Sequence, residues 1–544
     1  MTDDEAEFHS AIQRVISSKS RKRLVVAGPG TGKTTLFEAL LKARTGDPDD
    51  RLVLTFINSL RDDLEVQLSK YARVFTLHSY CLGQLYRKSG LRSGLSSDLR
   101  CQPGLASMIR SDWNYLHKSQ APHFVPQMRT LEAVNEVAFY LARGNYYDAV
   151  DFDDCVFRVC KHIAAGDAAL DGYELILIDE YQDFNPLEAK LIDFLSEKSP
   201  ILIAGDDDQA LYTKWRSTSW DFIRSLHRGD EYEKFELPFC LRCPQIVVEA
   251  VNDVIGRAKE LRRLERRIPK PYRYFAPAKN VDSVKYPTIA LVETSVQRLN
   301  ANYMGKYIAD TIRRIPSDEC EAAMNSGYPT ALIIAAKQYR TQIITHLQSC
   351  GDFSLDTKQD AENSLDRTHG LEILKADSNS NLGWRIILEK ETNKIADQFV
   401  VKTADMDRPL GELLPRDFRN KILAEAAAWK PVVKAEKEDV NKSKTQRTVK
   451  ITSFEGAKGL SAQHVFIAGL HNHEFPKDPA NVQDIEICKF VVGLTRTRKR
   501  CYLIYTNWFG QKQMVPSCFI SWIADARFEH ITVGKGYWTK TPIA

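Results

Sequence analysis

The 544-residue chain has no apolar run that approaches membrane-spanning length, which excludes a bundle of transmembrane helices. Its first residues, MTDDEAEF, are acidic and polar where a secretory signal needs a basic start and an apolar core. No sign of charge dominates. The 75 Lys and Arg stand against 71 Asp and Glu, a formal net charge of +4, so any nucleic-acid surface must be a local patch. The 11 cysteines are odd in number and irregularly spaced, which argues against a disulfide framework and for reduced thiols in a cytosolic setting. Cys240-x-x-Cys243 and Cys155-x4-Cys160 lack a second CxxC or a histidine pair at ligand spacing, so buried structural thiols explain them better than a metal does. What remains is an ordinary globular composition, 43% hydrophobic and 27% charged, in a chain long enough for two to four domains.

The most informative stretch present is LILIDEYQD, residues 175–183. Four consecutive apolar residues predict a buried parallel strand, and the strand delivers Asp179 and Glu180 to its C-terminal end, where an open α/β sheet holds its ligand. The pair suits phosphoryl transfer: Asp179 to hold Mg²⁺ through its water shell, Glu180 to orient and deprotonate an attacking water. Upstream, LVVAGPGTGKTT (24–35) is an apolar strand, a GxxxxGK[ST] loop and the start of a helical pattern. Gly28, Gly30 and Gly32 let successive N–H groups, that of Thr31 among them, face phosphate oxygens. Lys33 would reach the β- and γ-phosphates and Thr34 would bind Mg²⁺, with Thr35 beside them at the positive end of a helix. A second acidic strand, ILIAGDDDQ (201–209), places Gln209 just past its end, where a neutral amide can sense the γ-phosphate and the lytic water.

GPGTGKTT, DEYQD and GDDDQALY, in this order, resemble the UvrD/Rep-like superfamily 1A DNA helicases. Gln13 lies at about the interval of that family's adenine-reading glutamine. LTFINS (54–59) and TLHS (76–79) look like its DNA-contacting motifs, FCLRCP places its first γ-phosphate arginine at Arg242, and SFEGAKGLSAQHVFIAGL (453–470) is similar to the segment that contributes Gly459. VVGLTRTR (491–498) places the second arginine at Arg496. The resemblance implies an α/β protein: two RecA-like P-loop domains with parallel sheets, each carrying a mainly helical insertion, and ATP with Mg²⁺ in the cleft between them. It also implies 3′→5′ translocation on single-stranded or tailed duplex DNA. Phe56, Asn58, His78, Tyr212 and Trp215 are then the base-contacting candidates, with Arg216 on the backbone. Stacking of about 1–3 kcal/mol per base would grip DNA without reading its sequence.

Several residues depart from the family pattern. Leu241 replaces the aromatic that packs on adenine, Ser461 replaces the glutamate of AKGLE, and Glu455 stands at a histidine position. The expected organisation is a first motor domain over 1–81 and 166–235, its insertion over 82–165, a second motor domain over 236–351 and 449–544, and a reduced insertion over 352–448. A flexible connector is expected at 435–447. The basic run Arg257, Lys259, Arg262, Arg263, Arg266, Arg267, Lys270 and Arg273 has the spacing of a solvated helix face, which outweighs a DNA track. Glu486-Ile-Cys-Lys489 has the wrong spacing for a nuclease pair, and the chain ends soon after the last motif. The compact form also resembles small UvrD-like proteins of anti-phage systems such as Gabija. That leaves a second reading, a DNA-sensing ATPase that regulates a partner such as a nuclease in a defence or repair complex. Either protein would work in the cytoplasm, at the nucleoid when on DNA, and away from membranes.

Overall fold

Apolar runs bounded by glycine, proline and charge form the strands, and the ligand-bearing residues lie just past their ends. The computed structural model describes residues 2–56, 58–130, 135–211, 220–294, 303–357, 366–391, 393–430, 447–534 and 536–540. Strands β1 (Lys22–Ala27), β2 (Arg51–Thr55) and β3 (Arg73–Thr76) open a sheet. The chain then leaves for a helical insertion that carries the short parallel pair β4 (Arg100–Cys101) and β5 (Ala149–Val150). It returns with β6 (Leu175–Ile178), β7 (Ile201–Gly205) and β8 (Glu233–Leu237). The spatial order is β3-β2-β6-β7-β1-β8 and every pairing is parallel. Helices cover both faces of such a sheet, which is why β6 and β7 are buried at every position. The first sheet runs through Leu237, two residues beyond the boundary the sequence suggested.

A short parallel pair, β9 (Phe239–Cys240) and β10 (Arg273–Tyr274), precedes the second sheet. That sheet contains β11 (Ile289–Thr294), β12 (Ala331–Ala335), β13 (Ser354–Asp356), β14 (Thr448–Thr452), β15 (Ala462–Ala468) and β16 (Thr497–Thr506). After the hairpin β17 (Trp508–Phe509) and β18 (Lys512–Gln513), β19 (Phe528–Val533) adds an edge. The order is β13-β14-β12-β15-β16-β11-β19, again all parallel. No described helix is long and apolar enough to cross a membrane.

The second insertion is more structured than its polar sequence suggested, with helices at Arg367–Ala376, Asn381–Lys390, Asn393–Val400 and Arg416–Ala428. It docks on the first insertion through a buried ionic knot. Asp112 accepts from Arg385 Nε at 2.7 Å and from Arg143 Nη2 at 2.8 Å, while Arg143 Nη1 also donates to the Thr403 carbonyl at 3.1 Å. Burial alone would push the Asp112 carboxyl up, but Arg385 and Arg143 hold it below the ordinary carboxylate range.

The basic run is corrected by the fold. Its helix, Gln245–Glu260, stops short, and Arg262 and Leu264 take left-handed backbone angles (φ 54° each), so the residues beyond do not share a helix face. Arg267 and Lys270 turn inward to Asp208 and Asp207, just past the end of β7. Local charge density read as solvation; only the tertiary fold supplied the partners. Most of the expected 435–447 connector lies outside the described residues.

Candidate nucleotide site

The strand order β6-β7-β1 sets three strand ends side by side, and with them the DEYQD segment, the GDDDQ segment and the glycine-rich loop. After β1 the loop turns through Gly30 (φ 73°) and Gly32 (φ 87°) into the helix Lys33–Lys42. Gly32 caps that helix without a side-chain acceptor, so its first N–H groups remain available for an anion. Thr31 is buried and its hydroxyl donates to the Gly28 carbonyl at 2.8 Å, which braces the loop. Lys33 is buried, Thr34 half-buried and Thr35 exposed on the first turn. Gln13 is exposed on the helix Asp3–Ser17.

Glu180 sits in the left-handed region at φ 53°, a conformation a non-glycine residue adopts at a cost of about 1–3 kcal/mol. The strain aims its carboxylate at the loop, 3.6 Å from Lys33 Nζ. Gln182 fixes the other oxygen: its Nε2 donates to Glu180 Oε2, and its Oε1 accepts from the Asp206 N–H at 2.9 Å. Burial opposes ionisation of Glu180, yet Lys33 and Lys458 hold its carboxyl well below the usual range. Asp179 moves the other way, because burial and the adjacent Glu180 charge push it up. Its Oδ1 is buried with no hydrogen-bond partner among the described residues, so the donor set of Asp179 and the Thr34 hydroxyl fits a hydrated divalent cation.

Groups from beyond the first sheet, at residues 241–272 and 458–496, close over this half-site. The Leu241 N–H donates to the Gly30 carbonyl at 2.9 Å, and the Tyr272 hydroxyl donates to the Pro29 carbonyl at 3.1 Å. The Arg242 stem lies so close to Gly30 that a Cβ there would fall 2.7 Å from the Arg242 Cβ, which demands glycine. Arg242 Nη1 donates to the Thr495 carbonyl at 3.3 Å. Arg496 is buried, and its Nη2 donates to Gln209 Oε1 at 2.9 Å. Burial, then the nearby charge of Arg242, push Arg496 down to about 9, a repulsion that an anion between the two guanidiniums would relieve.

Lys458 is a contributor the sequence reading passed over, although it stands in the AKGL segment beside Gly459. It reaches across the cleft to pair with Asp183, lies 3.8 Å from Glu180 Oε2, and donates to the Gln209 carbonyl oxygen. Its place in the motif was visible in the sequence; the distance it spans was not. Ser461, at the glutamate position, accepts from Arg498 Nε at 2.9 Å, and Glu455 pairs with Lys489 at 2.6 Å.

The expected DNA contacts fare differently. Phe56 is 5% exposed, with its ring 6.3 Å from Phe184. His78 is mostly covered, with Nε2 3.3 Å from Glu188 Oε1 and its ring 5.5 Å from Phe152. Asn58 begins the helix Asn58–Leu68, but its side chain lies outside the described residues, as do Tyr212, Trp215 and Arg216 entirely.

Comparison with known proteins fits this geometry. Residues 9–138 and 117–229 match the UvrD/REP helicase N-terminal domain, and residues 283–508 match the UvrD-like helicase C-terminal domain. A probable DNA helicase II homolog of Mycoplasma genitalium is 21% identical, with 95% of this chain and 87% of that protein covered. Its counterpart in Mycoplasma pneumoniae is 25% identical over 43% of this chain, a stretch that spans only 40% of that protein. The ATP-dependent DNA helicase PcrA of Staphylococcus epidermidis is 23% identical over 52% of this chain and 43% of its own length.

Proposed function

We propose that this chain, which belongs to the UvrD/Rep-like helicase family, hydrolyses ATP in the cleft between its two parallel-sheet domains and uses the cycle to move 3′→5′ along single-stranded DNA. The observation that carries the reading is the bond from Arg496 of one domain to Gln209 of the other, 2.9 Å, because it makes the catalytic site a property of both.

The glycine-rich loop and the helix start at Lys33 bind the phosphates, and Lys33 neutralises their outer charge. Thr34 and Asp179 would hold Mg²⁺, which supplies charge stabilisation on the phosphate oxygens when bound. When Lys33 turns to phosphate, Glu180 loses its nearest ammonium partner and becomes a better base toward a water placed beside it. Arg242 and Arg496 meet the charge that develops on the transferred group, a contribution typically about 10³–10⁵ in rate. Gln209, held by Arg496, ties the presence of that group to closure. Release of phosphate removes the anion that keeps two arginines together, so their repulsion favours reopening.

The test is ATP hydrolysis by the purified chain with and without single-stranded DNA, together with strand displacement on duplexes tailed at either end. Stimulation by single strands and displacement only from 3′-tailed duplexes is the expected result. Stimulation without displacement would favour the regulatory ATPase, and no stimulation would refute both.

A further inference from the structure

Three consecutive carboxylates, Asp206, Asp207 and Asp208, converge just before Gln209, and the cation at their centre is a lysine of the other domain. Lys270 Nζ lies 2.9 Å from Asp206, 2.7 Å from Asp207 and 2.8 Å from Asp208, with its side chain 1% exposed. Arg267 pairs with Asp208 at 2.8 Å and Arg224 with Asp207 at 2.9 Å, so three positive groups balance three negative ones. Such a cluster is costly to bury and is a weak source of stability unless it holds something in register.

What it holds is visible at Asp206. Oδ1 accepts from Lys270 and from the Asp208 N–H at 3.1 Å, and Oδ2 accepts from Gln209 Nε2 at 2.8 Å. A carboxylate only accepts and a guanidinium only donates. Gln209 must therefore turn its nitrogen to Asp206 and its oxygen to Arg496. The geometry points to Asp206 and Lys270 as positioning residues that fix the amide polarity of the Gln209 sensor, with Lys270 making that setting depend on domain closure. The inference rests on the ATPase reading above and extends it to the residues that hold the Gln209 amide.

Asp206→Asn is the decisive variant because it keeps shape while reversing one edge. With its oxygen toward Lys270 and the Asp208 N–H, its Nδ2 faces Gln209 donor to donor. Gln209 must then flip and present its own N–H groups to Arg496. Lys270 keeps two carboxylates, so the fold is retained. The expected result is a DNA-stimulated kcat lower by about 10- to 100-fold, while the dissociation constant of a fluorescent ATP analogue stays within about threefold. In a Gln209→Ala background the same substitution should cost nothing further. Lys270→Gln, which removes the charge but leaves Asp206, should show a smaller loss that also vanishes in that background.

The relay is overturned if Asp206→Asn keeps kcat within about threefold of the unsubstituted chain, or if its loss multiplies undiminished with Gln209→Ala. A fall in kcat matched by the fraction of protein that binds the analogue would mean unfolding and would overturn it as well. If the unsubstituted chain hydrolyses no ATP at all, the proposed function itself fails and the relay falls with it.

Discussion

Replacing Asp112 with alanine should detach the second insertion from the first while leaving the nucleotide site intact. Asp112 is fully buried and accepts from two guanidiniums and from the Tyr147 hydroxyl at 2.5 Å. Arg385 also reaches Glu389 at 2.7 Å, so the knot has two negative and two positive groups, and Asp112 is the only carboxylate of the pair that is fully shielded from water. Its loss leaves Arg143 and Arg385, both essentially unexposed, sharing a site without their common counter-charge. Breaking a buried pair from one side costs about 3–5 kcal/mol. Arg385 lies on Asn381–Lys390 in the second insertion, and Arg143 on Asn135–Tyr147 in the first. Among the described residues the ties that remain are Arg143 to Thr403, neutral hydrogen bonds such as Asn381 Nδ2 to the Tyr146 carbonyl at 2.9 Å, and the packing of Leu382 and Ile386 into the core of the first insertion. Each neutral hydrogen bond contributes about 0.5–1.5 kcal/mol, and none of these ties supplies the missing counter-charge. The cost therefore falls on local opening rather than on global unfolding. Amide exchange in Asn381–Lys390 should accelerate by about 10²- to 10³-fold, since each 1.4 kcal/mol is a factor of ten. Exchange in the helix Lys33–Lys42 should stay at its original rate. Equal acceleration in both helices would mean a global effect. Unchanged exchange in Asn381–Lys390 would refute the claim that this charge knot holds the insertions together.

Four further outcomes are expected. Lys33→Ala should abolish turnover and weaken nucleotide binding at least tenfold by equilibrium titration, whereas Glu180→Gln should retain binding and lower kcat by about 10²–10⁴; near-normal turnover in the latter would remove Glu180 as the base. Gly30→Ala should impair cleft closure because the added methyl meets Arg242, so kcat should fall, and the left-handed strain at φ 73° should lower Tm as well; unaffected kcat would show that the loop and Arg242 separate during the cycle. Asp151 provides a pH test. Burial, with Asp154 and Asp153 beside it, pushes its carboxyl up to about 7, so the folded chain holds a proton there that the unfolded chain releases at about pH 4. Stability from this site is greatest at low pH and declines as pH rises from about 4 to 7. Asp151→Asn should thus raise Tm relative to the original chain by about 2–4 °C more at pH 8 than at pH 5, and an equal difference at both would refute the assignment.

Central strands of the first sheet were legible because a buried parallel strand must be apolar along its whole length: LVVA, LILI and ILIAG read directly as β1, β6 and β7. The second insertion was harder to read, since its helices bury residues such as Trp384 and Ile386 against each other and against the first insertion, a partner with no trace in local sequence. The packing of Phe56 was beyond the sequence for a related reason: position in a motif says that an aromatic is present, while its burial depends on where Phe184 falls.

The sequence by itself determined which chemical groups are present. A glycine-rich loop, an acidic pair, an amide and two arginines at motif spacing are the groups that the proposed phosphoryl transfer draws on. Only the tertiary structure decided which charge answers which. Lys270 and Arg267, part of an evident basic run, became the buried counter-ions of Asp206–Asp208, and Lys458 spanned the cleft to Asp183. A side chain's identity fixes its charge. Its partner is fixed by where the rest of the chain folds, through Coulomb interactions that strengthen steeply once water is excluded.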